Sequence, residues 1–497
     1  MNAASTTVPA APVSIPTLRD LGYTHDPFDP VRRECDEVLH EVTGTLPAEL
    51  TGTLYRNGPA RWAREHAVHT FDGDGMVSQL VLDGASVRYR NRFVRTPSYL
   101  AGSAENPSEL RGVGTQRPGG VLANTLRPPS DRANTHAVVH AERLLALADG
   151  GRPWDLDLDT LTTLGACDFD GCLSRLSTFS PHPKIDPHTG ELFNFGLAPE
   201  LRLGLRPKLS AGLRCYRIRR DGRMDTVANV PLAHPYINHD FALTERYLVF
   251  VLTPLVVNPR HALQALFGLS PYEHAAEFRD ELGSRIVLVP RNGEKARVVE
   301  CPTIPYVHLN NAFDDHGDVV ADLVRYEDYQ AFTGAVRDVN ELRYVPAGRL
   351  ARVRITAGCR VTVEDLCAEL GEFPQHDWRR TAQNYRYSYC SGYGSRSEAP
   401  GVAAAIIKVD NETGTHRAHI FAKGEGPGEP IFVPRHDDAA EDDGWILCLV
   451  ALSGQQRTAL YVLDARDLEA DPIAVAHLPH YAFPGFHGSF TRRVARP

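Results

Sequence analysis

From Gly52 to Asp464 the chain repeats one local theme: a short strand-forming run, a tight turn signal, and a second strand-forming run. Val77–Leu82 and Ser86–Val94 flank Asp83-Gly84, Cys215–Ile218 and Thr226–Val230 flank Asp221-Gly222, and Arg285–Pro290 and Ala296–Cys301 flank Asn292-Gly293. Asp-Gly and Asn-Gly loops supply the positive φ that hairpin turns demand, so each flanking pair is read as antiparallel. Ala403–Asp410 with Thr415–Ala422, and Trp445–Ser453 with Thr458–Asp464, continue the series. Ala137–Ala148 reads as one longer strand ending at Asp149-Gly150-Gly151. Helical period is scarce, confined to His261–Phe267 and the fragment Glu277–Leu282. A chain of serial hairpins must close its sheets as a sandwich or a β-propeller.

Histidines decide between the two. His182, His239, His308 and His487 each stand beside a polar or Gly/Pro elbow where a strand enters or leaves a sheet. The first three are 57 and 69 residues apart, the length of a four-stranded blade with its loops. A propeller sets equivalent points of successive blades around one axis, which a sandwich does not. The expected fold is therefore an all-β propeller with these rings directed at a shared centre. Neutral imidazoles bind first-row metals, and the second ring nitrogen is usually fixed by a carboxylate or carbonyl. The pairs His66/His69, His136/His140 and His416/His419 are read as structural.

Composition narrows the function. Net charge is −9, which argues against a polyanionic partner such as nucleic acid. Nine scattered cysteines without a CxxC pair read as reduced, cytoplasmic thiols. Residues 1–20 are expected to be a flexible tail, and 21–497 a single domain whose inserts 95–130, 197–213 and 254–284 loop over one face. No obligate protein partner is evident, and no apolar run approaches the ~18 residues of a membrane span.

With these elements in view, the chain resembles the carotenoid cleavage oxygenase family from about Leu46 to the C-terminus. The resemblance is carried by GTLYRNGPA (52–60), HTFDGDGMV (69–77), NRFVRTP (91–97), NTHAVVHAERLLALADGG (134–151), CDFDG (167–171) and SPHPKIDPHTGEL (180–192). It continues through INHDFALTERYLVF (237–250), HLNNAFDDHGDVVADLVRY (308–326), GEFPQ (371–375), GEPIFVP (428–434) and GFHGSF (485–490). It implies a seven-bladed propeller capped by a dome of loops and short helices. It also implies one iron(II) per chain, held by His182, His239, His308 and His487, with O2 as co-substrate.

Three family glutamates that bond ligand histidines correspond to Glu372, Glu429 and Asp149. Aspartate is one methylene shorter, so a bridging water or a shifted turn is expected to complete its reach. Thr135 corresponds to a threonine that screens the open metal position. Trp62, Phe71, Tyr99, Phe313, Phe432 and Phe486 are candidate tunnel walls. The implied reaction is cleavage of a conjugated double bond of a carotenoid or apocarotenoid into two carbonyl products. Stilbene cleavage is the alternative, opposed by Ala148 where stilbene-cleaving members carry lysine. A non-catalytic propeller and a retinoid isomerohydrolase are remoter readings. A lipophilic substrate implies peripheral membrane contact, for which 254–272 is the candidate, with Leu263, Leu266 and Phe267 at helical spacing.

Overall fold

The computed structural model describes residues 31, 33–62, 69–102, 110–174, 177–202, 208–327, 348–392 and 403–497. The 1–20 tail and His66 lie outside them. The turn signals close hairpins where expected: Asp74–Asp83 pairs with Val87–Phe93, Lys208–Ile218 with Met224–Pro231, and Ser284–Pro290 with Arg297–Cys301. Among the described residues such hairpins build six sheets around a central axis, beside one two-stranded ribbon. Five of the six are single blades. The remaining seven-stranded sheet is two blades joined through the long strand Val361–His376. Its first half pairs with Gly348–Ile355 and its second with Tyr387–Gly392, giving the seven-bladed propeller.

Both ends of the chain stitch the ring. His487–Thr491 adds to Thr51–Arg61 in the first blade, while Val42–Gly44 adds to Ala474–His477 in the last. Blades are packed on both faces, so strict alternation gives way to continuous apolar runs. Gly444–Leu452 is buried along its whole length. Separate clusters fill the wedges: Phe193, Phe195, Phe241 and Phe250 join the third and fourth blades. Leu54, Leu80, Trp445 and Leu447 join the first and last. Each such side chain contributes roughly 1.5–3 kcal/mol on burial.

Three sequence expectations change. The described residues of the 197–213 segment are strand, not loop: Leu192–Arg202 and Lys208–Ile218 pair in continuous register from Leu192↔Ile218 to Arg202↔Lys208. Its alternation was masked by Gly, Pro and Arg. Ala137–Ala148 is two strands, His136–His140 and Arg143–Leu147, because Ala141 and Glu142 turn at φ 50° and 57°. No Gly, Asn or Asp marks that turn. Glu277–Leu282 is a strand end followed by a 3-10 turn rather than one helix.

Over one face lie the short helices Pro97–Leu100, Gly120–Asn124 and Pro259–Leu266 and the ribbon Leu255–Val257/Ala276–Phe278. The HTFDGDGM segment anchors this dome. Buried Asp72 accepts the N–H groups of Val113 (2.6 Å), Gly114 (3.0 Å) and Thr115 (2.9 Å). Asp74 is gripped by Arg61 (2.7 Å) and Arg132 (2.9 Å).

Candidate metal centre

Innermost strands carry the four histidines to the axis. His182 immediately precedes the strand Lys184–Ile185, His239 precedes Ala242–Leu243, His308 lies within Tyr306–Asp315, and His487 opens His487–Thr491. One ring nitrogen of each converges, all within 4.8 Å of one another. Nε2 of His239 lies 2.8 Å from that of His182 and 3.3 Å from that of His308. Ligands at ~2.1 Å and right angles on a first-row ion would stand about 3 Å apart, so the donor set fits such an ion.

The remaining blades supply carboxylates to the outward nitrogens. Asp149 Oδ2 accepts from His239 Nδ1 at 2.5 Å, Glu372 Oε2 from His308 Nδ1 at 2.6 Å, and Glu429 Oε1 from His487 Nδ1 at 2.8 Å. Each bond places the proton on Nδ1 and leaves the Nε2 lone pair facing the centre. Of the two ways expected to complete the reach of Asp149, a bridging water or a shifted turn, the first is not needed: the contact is direct. The turn after Leu147 brings the shorter side chain close enough. Among the described residues no carboxylate pairs with His182. Its backbone N–H donates to Ser180 Oγ (3.1 Å), whose hydroxyl donates to the His239 carbonyl (2.9 Å).

The carboxylates differ in their surroundings. Asp149 is 44% exposed, whereas Glu429 is 1% exposed and saturated. Glu429 Oε1 also accepts from Gln375 Nε2 (2.7 Å), and Oε2 accepts from the Gly488 N–H (3.0 Å) and from Arg56. Glu372 takes the Tyr326 hydroxyl (2.7 Å) and the Phe373 N–H. Arg56 cancels one of three negative charges, leaving two to balance a divalent cation held by neutral rings.

Titration follows from these contacts. Burial, reinforced by the neighbouring histidines, holds His182 and His487 far below the usual imidazole range. Burial pulls His239 the same way, but Asp149 outweighs it and raises the ring. Burial disfavours the Glu372 anion, yet His308, Tyr326 and the Phe373 N–H keep it below the ordinary carboxylate value.

The candidate tunnel residues divide. Phe71 and Phe486 meet edge to face at 5.6 Å, and Phe486 meets Phe483 likewise, forming a half-buried aromatic line beside His487. Trp62 is buried and donates to the Thr70 carbonyl (3.2 Å). Phe432 stacks on Tyr389 at 5.5 Å within a buried cluster, and Phe313 packs with Val320 and Tyr385. Those two are packing residues of the blades. Tyr99 has Arg61 and Arg95 over its ring at 4.1 and 4.5 Å and stacks on Phe93. Thr135 is buried; its carbonyl accepts the His487 N–H at 3.1 Å and its hydroxyl donates to Asn134 Oδ1 at 3.3 Å. His136 points both ring nitrogens at carbonyls, of Pro181 (2.6 Å) and Gly488 (3.2 Å), a structural role as expected.

Four residues at the site escaped sequence reasoning: Arg56, Tyr326, Phe373 and Gln375. Phe373 lies 5.5 Å from His308 and 5.3 Å from His487, ring to ring. All four sit in motifs already singled out, Arg56 in GTLYRNGPA, Tyr326 at the end of HLNNAFDDHGDVVADLVRY, and Phe373 and Gln375 in GEFPQ, which was the available signal.

Comparison with known proteins agrees with this geometry. The profile of the family described as "Retinal pigment epithelial membrane protein" matches residues 28–492. The chain is 32% identical to the apocarotenoid-15,15'-oxygenase of Synechocystis, over 98% of this chain and 100% of that protein. It is 29% identical to the isoeugenol monooxygenase of Pseudomonas nitroreducens, over 93% and 96%. A solved Glu-to-Asp variant of the Synechocystis apocarotenoid oxygenase superposes with a TM-score of 0.84 at 31% identity, over 94% of this chain and 98% of that one. With its propeller, its four converging histidines and this match over nearly its whole length, the chain belongs to the retinal pigment epithelial membrane protein family, that of the carotenoid cleavage oxygenases.

Proposed function

We propose that this protein is a non-haem iron(II) dioxygenase that cleaves a conjugated carbon–carbon double bond of a carotenoid or apocarotenoid with O2, giving two carbonyl products. The observation that carries the reading is the intact tetrad, His182, His239, His308 and His487, with three of its rings oriented by carboxylates. A non-catalytic propeller has no need of it. Iron(II), when bound, supplies the redox-active centre with open positions for dioxygen.

The chain's own residues do the rest. Asp149, Glu372 and Glu429 hold His239, His308 and His487 in the metal-binding tautomer. Phe373 covers the His308–His487 edge, and the Phe71–Phe486 pair offers apolar contact for a polyene. No side chain is required as general base, and residues 21–497 act as one catalytic unit. A phenolic substrate is disfavoured because Ala148, where stilbene-cleaving members carry lysine, is buried and apolar. The test is incubation of iron-loaded protein with a polyene panel, a hydroxystilbene and isoeugenol, with products identified by mass. Cleavage of the phenolic alkenes with no attack on any polyene overturns the substrate reading.

We infer further that the dome docks on a membrane surface, at the cytoplasmic face. Among the described residues no helix is long and apolar enough to cross a membrane. Leu263, Phe267 and Leu269 of the 254–272 segment are exposed, as are Val121, Leu122 (90%) and Leu126. Leu126 N–H donates to the Leu266 carbonyl at 2.7 Å, which makes the two groups one surface. Beneath it, buried Arg111 donates to the carbonyls of Asn124 and Ala265, both at 2.7 Å, tying the two short helices together. Such a patch, unlike scattered single side chains, marks an interaction surface.

A further inference from the structure

Between Glu372 and Gln375 the long strand Val361–His376 slips register against Tyr387–Gly392. This bulge places three side chains on the metal centre. Glu372 holds His308. Phe373, a bulky residue before proline, adopts φ 54°, a costly conformation sustained by its surroundings. It lays its ring against both His308 and His487 while its N–H donates to the Glu372 carboxylate. Gln375 donates at 2.7 Å to Glu429 Oε1, the same oxygen that accepts His487 Nδ1.

We propose that Gln375 is a positioning residue, through which this single bulge grips His308 and His487 together. The reason lies in the torsional freedom of a glutamate head group, whose last torsion is broad and two-fold. Glu429 Oε2 is pulled by Arg56 and the Gly488 N–H. Oε1 must be held against that pull to stay in line with His487, and Gln375 is the second donor that holds it. Removing the donor leaves the carboxylate free to turn toward Arg56, and His487 loses its orientation although no metal ligand has changed. Two ligands on different blades are thereby set by one stretch of backbone.

The inference rests on the reading of the tetrad as a metal site, so its test uses metal directly. Wild type, Gln375→Met, Glu429→Gln and the double variant are loaded with cobalt(II), then followed by visible spectrum and by release rate into excess chelator. Gln375→Met, similar in size but without a donor, is expected to release cobalt about tenfold faster, the scale of outer hydrogen-bond changes at metal sites. Its ligand-field bands shift, while thermal unfolding of the metal-free protein stays near wild type. In the Glu429→Gln background the same change adds less than about twofold, because coupled residues are non-additive. A Gln375→Met protein with wild-type spectrum and release overturns the proposal, as does a full tenfold effect that persists without Glu429. Failure of wild type itself to take up cobalt overturns the metal reading instead.

Discussion

Replacing Asp149 separates what a charge does for His239 from what a hydrogen bond does. The pair is direct, at 2.5 Å, and Asp149 accepts from His239 alone among the ligand histidines. Asp149→Asn keeps an acceptor but removes the charge; Asp149→Ala removes both. Outer partners of metal-bound histidines are worth roughly 10–100-fold in affinity. The aspartate is 44% exposed, and water screens it, which sets the asparagine variant at the low end. We therefore expect about tenfold weaker metal binding in Asp149→Asn at pH 8, about 1.4 kcal/mol, and a larger loss in Asp149→Ala.

The pH dependence gives a second signature. Asp149 raises His239 above the ordinary imidazole range, so in wild type protons compete with metal at this ring up to a higher pH than at a free histidine. Removing the charge weakens that competition. The gap between wild type and Asp149→Asn is thus expected to narrow as pH falls from 8 toward about 6. The assay is cobalt(II) titration by isothermal calorimetry at several pH values. Identical affinity of wild type and Asp149→Ala across the range refutes the reasoning. A gap that widens on acidification refutes the charge argument specifically.

Acid should destabilise the metal-free protein early. His182, His487 and His376, the last pushed down to about 3 by burial, stay neutral when folded but take protons once unfolded. Their contribution is present above about pH 6.5 and is lost as pH falls toward their folded values, by up to about 1.4 kcal/mol per unit per ring; a melting temperature constant from pH 7 to 5 contradicts this. Arg56→Met should be severely destabilising, by roughly 3–5 kcal/mol, because it leaves Glu429 buried with its charge uncompensated; denaturant titration showing a loss under 1 kcal/mol counts against the pair. A Leu263→Glu, Phe267→Glu variant should fold normally yet no longer float with liposomes, and should turn over vesicle-borne substrate at least several-fold more slowly than detergent-solubilised substrate. Unchanged flotation places the docking surface elsewhere.

What could be read ahead of the structure follows physical reach along the chain. The four histidines stood out locally because each lies near a polar or Gly/Pro elbow, although His308 is inside the strand Tyr306–Asp315 rather than at its end, and their assignment as one iron site came through the family resemblance. Hairpins with Asp-Gly or Asn-Gly turns were legible from local signals too, whereas the Ala141-Glu142 turn carried no mark and was missed. Glu372 and Glu429 came only through the family resemblance, since nothing local distinguishes them from the chain's other acids. Arg56 and Glu429 meet across 373 positions of sequence, and Gln375 reaches Glu429 only because a bulge slips the register. Neither relation leaves a periodic trace. Phe313, Phe432 and Tyr99 were drawn toward a tunnel by their closeness in sequence to site motifs. On a propeller, however, neighbouring positions on one strand alternate between the axis and the wedges that separate blades, and the wedges claimed the first two.

The central claim, that the four converging histidines hold one iron(II) per chain, is tested most directly by elemental analysis after anaerobic reconstitution with iron(II) and removal of free metal. Wild type is expected to retain close to one iron per chain. His308→Ala, which removes a ligand from the innermost strand of a blade packed on both faces, is expected to retain almost none while keeping the β-rich circular dichroism spectrum of wild type. Full iron occupancy in a folded His308→Ala protein would contradict the account.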